Sequence, residues 1–324
     1  MSTGVALIGL GVMGTRMLGS LTVNDGFRPV TMWDPSDHAR DAAAAAFPDV
    51  AIAADAAAAI DAPGVDVVYI ACPPATHVVY AEMAAAAGKA IYCEKPLAVD
   101  LAESEKLVAI VNDGGLPNAV NYLFGAALTV DFIEEQLAAG ALGEIVGVDL
   151  RLHFVPWPRV WQQSATWLSD RAEGGYLREV GSHFIFLTEK LFGPATLVDS
   201  SVSYPADGVA CETGFSLRLD CSGRAVSMSG SSVGAGPDVV EYVIWGTERS
   251  IKLDNWTDVY VSSGGDWERQ EIFGADEPRR ANSDRFLGEF DRLLQGRPSS
   301  VASFADALSV QRLVEGALGS TGSA

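Results

Sequence analysis

The chain has 324 residues, of which 48% are hydrophobic and 20% charged, a composition that supplies a packed core and argues against disorder. Lys plus Arg number 22 against 42 Asp plus Glu, and the net charge of −20 repels nucleic-acid phosphates and anionic membranes, so neither is expected as a partner. The four cysteines, Cys72, Cys93, Cys211 and Cys221, form no C-x-x-C pair and no zinc spacing, so buried reduced thiols are expected and no metal site is.

The N-terminus carries no basic leader and no apolar run reaches the roughly 18 residues of a membrane helix, which together point to a cytoplasmic protein. The length exceeds what one core usually serves, and the texture changes near residue 121. Before it, continuously apolar runs alternate with helical segments: "GVALIGLG", a helix from Gly14, "PVTMWD", a helix from Ser36, "AIAAD", "VDVVYIAC", a helix from His77, "KAIYCEK", a helix from Leu101, and "PNAVNY". That order predicts a parallel sheet covered on both faces, in a domain over 1–121.

Beyond it, helices are expected over 128–139 and 179–192, followed by period-2 runs such as "TLVDSSVSY", "TGFSLRL", "RAVSMSGSS", "VVEYVIWG", "SIKL" and "DVYVSS", and by closing helices over 282–295 and 304–318. With "EIVGVDLRLHF" (144–154) they predict an α+β domain over 122–324 built on a large, mainly antiparallel open sheet.

Three motifs carry chemistry. "GLGVMG" places Gly9, Gly11 and Gly14 between a strand and a helix, with Val12 and Met13 at the helix start, the arrangement that receives a dinucleotide pyrophosphate. Asp34, 20 residues after Gly14 at the end of the second strand, suits the adenosine ribose hydroxyls. Its charge favours NAD over NADP, although Arg40 or His38 leaves NADP open. "ACPPATH" follows another strand and puts Cys72, Pro73 and His77 at the sheet's carboxyl edge, where ligands bind in such folds; Thr76 and His77 also suit plain capping and packing. "YCEKPLA" ends the next strand with Glu94 and Lys95, and Pro96 holds Lys95 extended beside the nicotinamide position.

In order and spacing, "GLGVMG", "PPATH" and "AGKAIYCEKPLA" resemble the Gfo/Idh/MocA oxidoreductases. The resemblance implies a Rossmann unit followed by an α+β unit with an open sheet, an NAD(P) cofactor, and a lysine, here Lys95, that often precedes a cis proline and polarises a carbinol or carbonyl. It also implies a dehydrogenase or reductase of CH–OH groups in a sugar, polyol or related small molecule. "GGYLREVGSHFIFL" resembles the family segment with an Asp four residues before a catalytic His. Glu179 stands in the Asp position and His183 in the His position, and a four-residue helical spacing sets the two on one face. Phe186 replaces a frequent Asp.

Expected substrate contacts are Asn121, Tyr122, Trp157, Arg159, Trp161, Arg178 and His183; the loop 154–167 suits either closure over a substrate or packing. Homodimers or homotetramers through the open sheet are implied. Two alternatives stay open: a non-catalytic dinucleotide-sensing regulator on the same fold, and a β-hydroxyacid dehydrogenase, whose second domain would be largely helical.

Overall fold

A computed structural model describes residues 2–163 and 165–319, and within them two compact units. Among the described residues the first comprises 2–125 and 279–308, the second 126–278 and 309–319.

In the first unit the chain runs β1 (Thr3–Ile8), α1 (Val12–Thr22), β2 (Phe27–Trp33), α2 (Asp37–Ala46), β3 (Ala51–Ile52), α3 (Ala56–Ile60), β4 (Val67–Ile70), α4 (His77–Ala86), β5 (Ala90–Cys93), α5 (Leu101–Asp113) and β6 (Asn118–Val120). The strands pair in parallel in the order β3-β2-β1-β4-β5-β6. The order reverses between β1 and β4, and in open sheets of this kind ligands bind at the carboxyl ends of the strands at such a point. Val67–Ile70 and Ala90–Cys93 are buried at every residue, as strands covered on both faces must be.

The second unit contains α6 (Leu128–Ala138), β7 (Ile145–His153), a π-helical turn over Leu177–Gly181, α7 (Ser182–Phe192), β8 (Ala195–Ser203), β9 (Gly214–Cys221), β10 (Arg224–Ser231), β11 (Val239–Gly246), β12 (Ser250–Asp254), β13 (Asp258–Ser262) and β14 (Glu268–Gln270). Its sheet has the order β14-β13-β12-β11-β7-β10-β9-β8 and is antiparallel throughout except for the β7–β10 pair. Alternation decides its faces. Val148, Leu150, Leu152, Phe215, Leu217, Val226 and Met228 are buried, whereas Asp149, Arg151, Ser216, Arg218, Ser227 and Ser229 are exposed. On the buried face Phe184 of α7 stacks on Tyr242 at 5.8 Å.

The chain closes with α8 (Pro278–Leu294) and α9 (Phe304–Gly319). The sequence reading gives all of 122–324 to one domain, yet α8 packs on the first sheet. Phe286 stacks on Tyr92 at 4.9 Å and Phe290 on Phe27 at 6.0 Å, an apolar seam that draws residues 279–308 into the first unit. Among the described residues no helix is long and apolar enough to cross a membrane.

Candidate active site

The three glycines of the first loop divide their tasks by space. Gly9 has φ +98°, and a Cβ there would lie 2.6 Å from the backbone of Ala71 and Cys72. At Gly14 a Cβ would sit 1.9 Å from the Gly9 carbonyl oxygen, whereas at Gly11 it would meet nothing within 4 Å. Crowding within the described residues therefore does not require glycine at position 11. Gly11 is also the N-cap of α1 and brings no side-chain cap, while Ser36, Asp55 and Asp100 cap α2, α3 and α5 with their own side chains. The first N–H groups of a helix have no acceptor inside it, so the start of α1 is suited to an anion placed at Gly11. Val12 and Met13 begin that helix, Val12 exposed and Met13 half-buried.

Asp34 completes the cradle. Its Oδ2 accepts from the Leu10 N–H at 2.8 Å and its Oδ1 from the Ser36 N–H at 2.8 Å, which fixes the carboxylate beside the loop with lone pairs still available to ribose hydroxyls. Arg40 donates to the Asp34 carbonyl at 2.5 Å and pairs with Asp37. These residues fit a bound dinucleotide. Gly14→Ala should lower thermal stability by about 1–3 kcal/mol because the clash is with backbone. Gly11→Ala should leave stability intact and weaken NAD binding about ten-fold. Melting curves and a fluorescence titration of both variants check the pair.

At the carboxyl ends of β4 and β5 the side chains lock onto one another. Glu94 is buried, and its Oε1 accepts from Asn121 Nδ2 at 2.6 Å and, by a short bond, from the Tyr69 hydroxyl. Asn121, expected at the substrate, thus orients Glu94, and Tyr122 is 1% exposed in the core. Adjacency to a strand end suggested both, but the backbone alternates and turns Tyr122 inward. The Lys95–Pro96 peptide is cis, and Lys95 is half-buried. Cys72 is half-buried beside Pro73, its thiol pushed up to about 11 by burial. Thr76 does not cap α4; its hydroxyl donates to the Pro73 carbonyl at 2.9 Å. His77, read as a cofactor contact, is 1% exposed and holds both ring nitrogens 2.8 Å from carbonyl oxygens, those of Pro96 and Cys72.

Sequence reasoning missed a cationic pair at this edge. Ser20 of α1 and Ser283 of α8 are hydrogen-bonded at 3.2 Å, and one turn back along each helix stand Arg16 and Arg279. Their mutual repulsion helps to lower the Arg16 pKa, after burial, and the Glu94 carboxylate opposes it. The only sequence signal is the i−4 spacing in two helices whose pairing is non-local.

In the second unit His183 is 8% exposed at the start of α7, with its ring edge-on to Trp256 at 5.7 Å and 87°. Trp256 and Asn255 both have positive φ, 75° and 51°, which asparagine adopts readily and tryptophan rarely. Trp256 was also missed, since the tight β12–β13 connection that aims it leaves little trace in the sequence.

Glu179 lies in the π turn, not in α7, so the one-face spacing drawn from a continuous helix over 179–192 does not apply. Its Oε1 accepts from Gln162 Nε2 at 2.9 Å, and Gln162 Oε1 accepts from Arg159 Nε at 2.8 Å. Arg159 also lies over the rings of Trp161, Phe154 and Trp157 at 4.9, 5.3 and 5.9 Å. Trp157 packs against Tyr176 and donates to the Leu168 carbonyl at 3.1 Å, while Trp161 is exposed. In this loop Ser164 lies outside the described residues.

Arg178, expected at the substrate, is committed elsewhere. It forks onto Glu315 at 2.6 and 2.8 Å and donates to the carbonyls of Arg171 and Gly174, a structural clamp. Phe186 is 5% exposed, and no group of three His, Cys, Asp or Glu side chains among the described residues could hold a metal ion.

Comparison with known proteins places the chain in a family. The model of the oxidoreductase family with the NAD-binding Rossmann fold, GFO/IDH/MocA, matches residues 3–122, and the GFO/IDH/MocA C-terminal domain matches residues 130–252. The chain belongs to the Gfo/Idh/MocA oxidoreductase family.

Among curated relatives, a dTDP-3,4-didehydro-2,6-dideoxy-alpha-D-glucose 3-reductase from Streptomyces violaceoruber is 27% identical over 93% of this chain and 83% of its own length. D-apiose dehydrogenase from Paraburkholderia graminis is 29% identical over 67% of this chain and 60% of its own. A levoglucosan dehydrogenase solved with NADH and levoglucosan superposes with a TM-score of 0.86 at 21% identity, covering 99% of this chain and 97% of the other, which shows a shared fold.

Proposed function

We propose that the protein is an NAD-dependent dehydrogenase or reductase acting on a CH–OH carbon, or its carbonyl, of a sugar or polyol. The observation that carries the reading is the glycine cradle with Asp34 fixed beside it, in the same unit as a lysine held next to a cis proline. Sugar chemistry is supported by the relatives, whose names specify deoxyglucose, apiose and levoglucosan substrates. Asp34 favours NAD because a 2′-phosphate would meet its charge, and Arg40 is already engaged by Asp37 and the Asp34 carbonyl.

When bound, the nicotinamide supplies the hydride donor or acceptor. In the oxidative direction His183 takes the hydroxyl proton, and the Lys95 ammonium stabilises the negative charge that develops on the substrate oxygen. Glu179 is assigned a supporting part, holding Gln162 and through it Arg159, with Arg159 and Trp161 as substrate contacts. Exposed Trp245, packed on Trp267 at 6.0 Å, makes the uncovered sheet face the proposed surface for homo-oligomers.

The test is a panel of sugars, polyols and their oxidised forms, followed by nicotinamide absorbance. Turnover with NAD on at least one compound is expected. NAD binding without turnover on any of them would favour the dinucleotide-sensing regulator. The β-hydroxyacid dehydrogenase alternative falls to the strand-rich second unit and the family match.

A further inference from the structure

His77 is the first residue of α4, directly after the β4 loop, and its side chain spans to the β5 loop. Nδ1 lies 2.8 Å from the Pro96 carbonyl oxygen and Nε2 lies 2.8 Å from that of Cys72. The ring is 1% exposed, so no water competes for either nitrogen. These two carbonyls belong to the two segments that end at the crevice edge of the sheet, and one of them belongs to the proline that follows Lys95. The carbonyl of the next residue, Leu97, faces the imidazole as well, and the Lys95 ammonium is close enough to disfavour a charged ring. Burial is the largest influence on the imidazole and acts in the same direction.

A buried imidazole between two carbonyls has limited freedom. Its contacts reach neither the glycine loop nor Asp34, and they are spent on the backbone of the lysine turn. Residues of the same turn are otherwise anchored through Glu94, which Tyr69 and Asn121 hold. Glu94 fixes the turn on the N-terminal side of Lys95, and the Pro96 carbonyl is the handle that His77 takes on the other side.

The neutral ring has one N–H. We infer that His77 is a positioning residue for Lys95: carried on Nδ1, that N–H donates to the Pro96 carbonyl and thereby aims the lysine. The inference rests on the proposed role of Lys95. It gives the PPATH segment a task distinct from cofactor contact, because the histidine acts through the lysine turn.

The two arms can be separated. Asparagine places its amide nitrogen near the position of Nδ1, and glutamine places its own near Nε2. His77→Asn therefore keeps a donor for the Pro96 carbonyl and His77→Gln moves the donor to the Cys72 carbonyl, while either replaces a buried polar group with another. The expected result is kcat within about three-fold of the parent for His77→Asn and a loss of about 10- to 100-fold for His77→Gln, the range that a small misplacement of a reacting group produces.

NAD affinity, read by fluorescence titration, should change by less than about three-fold in both. A purely structural histidine would make the two variants alike. Equal kcat in His77→Gln and the parent, or equal losses in both variants, would overturn the inference. Lys95→Met is measured in parallel. If it keeps full activity, the reading of Lys95 fails; if it is inactive while His77→Gln is not impaired, only the positioning role fails.

Discussion

Replacing Lys95 with methionine should reduce kcat on the best compound of the panel by about two to four orders of magnitude, with NAD affinity within a factor of about three of the parent. Methionine keeps the reach of the chain and removes the ammonium, so the loss isolates charge. The size follows from what the ammonium offsets: a developing alkoxide gains more from a cation already fixed in place than from water that must reorganise around it. Lys95 is half-buried in a turn whose neighbours Glu94, Pro96 and Leu97 are all buried, so its backbone is held even where its side chain meets solvent. An ordinary surface lysine would tolerate the change without effect. Steady-state kinetics with a parallel NAD titration decides between the two.

Loss of His183 should cost about two to four orders of magnitude in kcat as well, the range found when a general base is removed. His183→Asn is the informative variant, because it keeps a polar group of smaller size at a position only 8% exposed and against Trp256. Unchanged NAD binding and an unchanged melting curve would show that the defect lies in chemistry. A regulator that only senses the dinucleotide predicts a different pattern: NAD binding in the parent with no turnover for either substitution to remove.

Much of the cofactor half was legible from residues in sequence. The glycine loop, Asp34 and the alternation of apolar runs with helices are local patterns, and each corresponds to a strand end or helix start in the first unit. The cis geometry at Pro96 fits the resemblance, although sequence offers no local rule that requires it.

What could not be read depends on distant partners. The seam of Phe286 and Phe290 against Tyr92 and Phe27 joins residues nearly two hundred positions apart or more, so α8 reads as part of whichever domain it follows. Arg178 stands in a motif and looks functional until Glu315 is found opposite it. Short elements also escaped: α3 over Ala56–Ile60 and β14 over Glu268–Gln270 span too few residues for a period to declare itself. The π turn is a register change inside an apparently continuous helix, and it altered the meaning of the Glu179–His183 spacing.

The parallel β7–β10 pair was hidden for a related reason. Alternation along β7, β9 and β10 tells which face is buried but not which strand lies alongside which. The sheet was therefore expected as mainly antiparallel, and it is so in every pair but that one.

The proposed function assigns both Lys95 and His183 to the hydride-transfer step. A double-mutant cycle measures this most directly: single-turnover rates of nicotinamide reduction for the parent, Lys95→Met, His183→Asn and the double variant. Groups that act as a unit give strongly non-additive losses, so the double variant should be little slower than the slower single variant. Losses that simply multiply, or a Lys95→Met enzyme that turns over at the parent rate, would contradict the account.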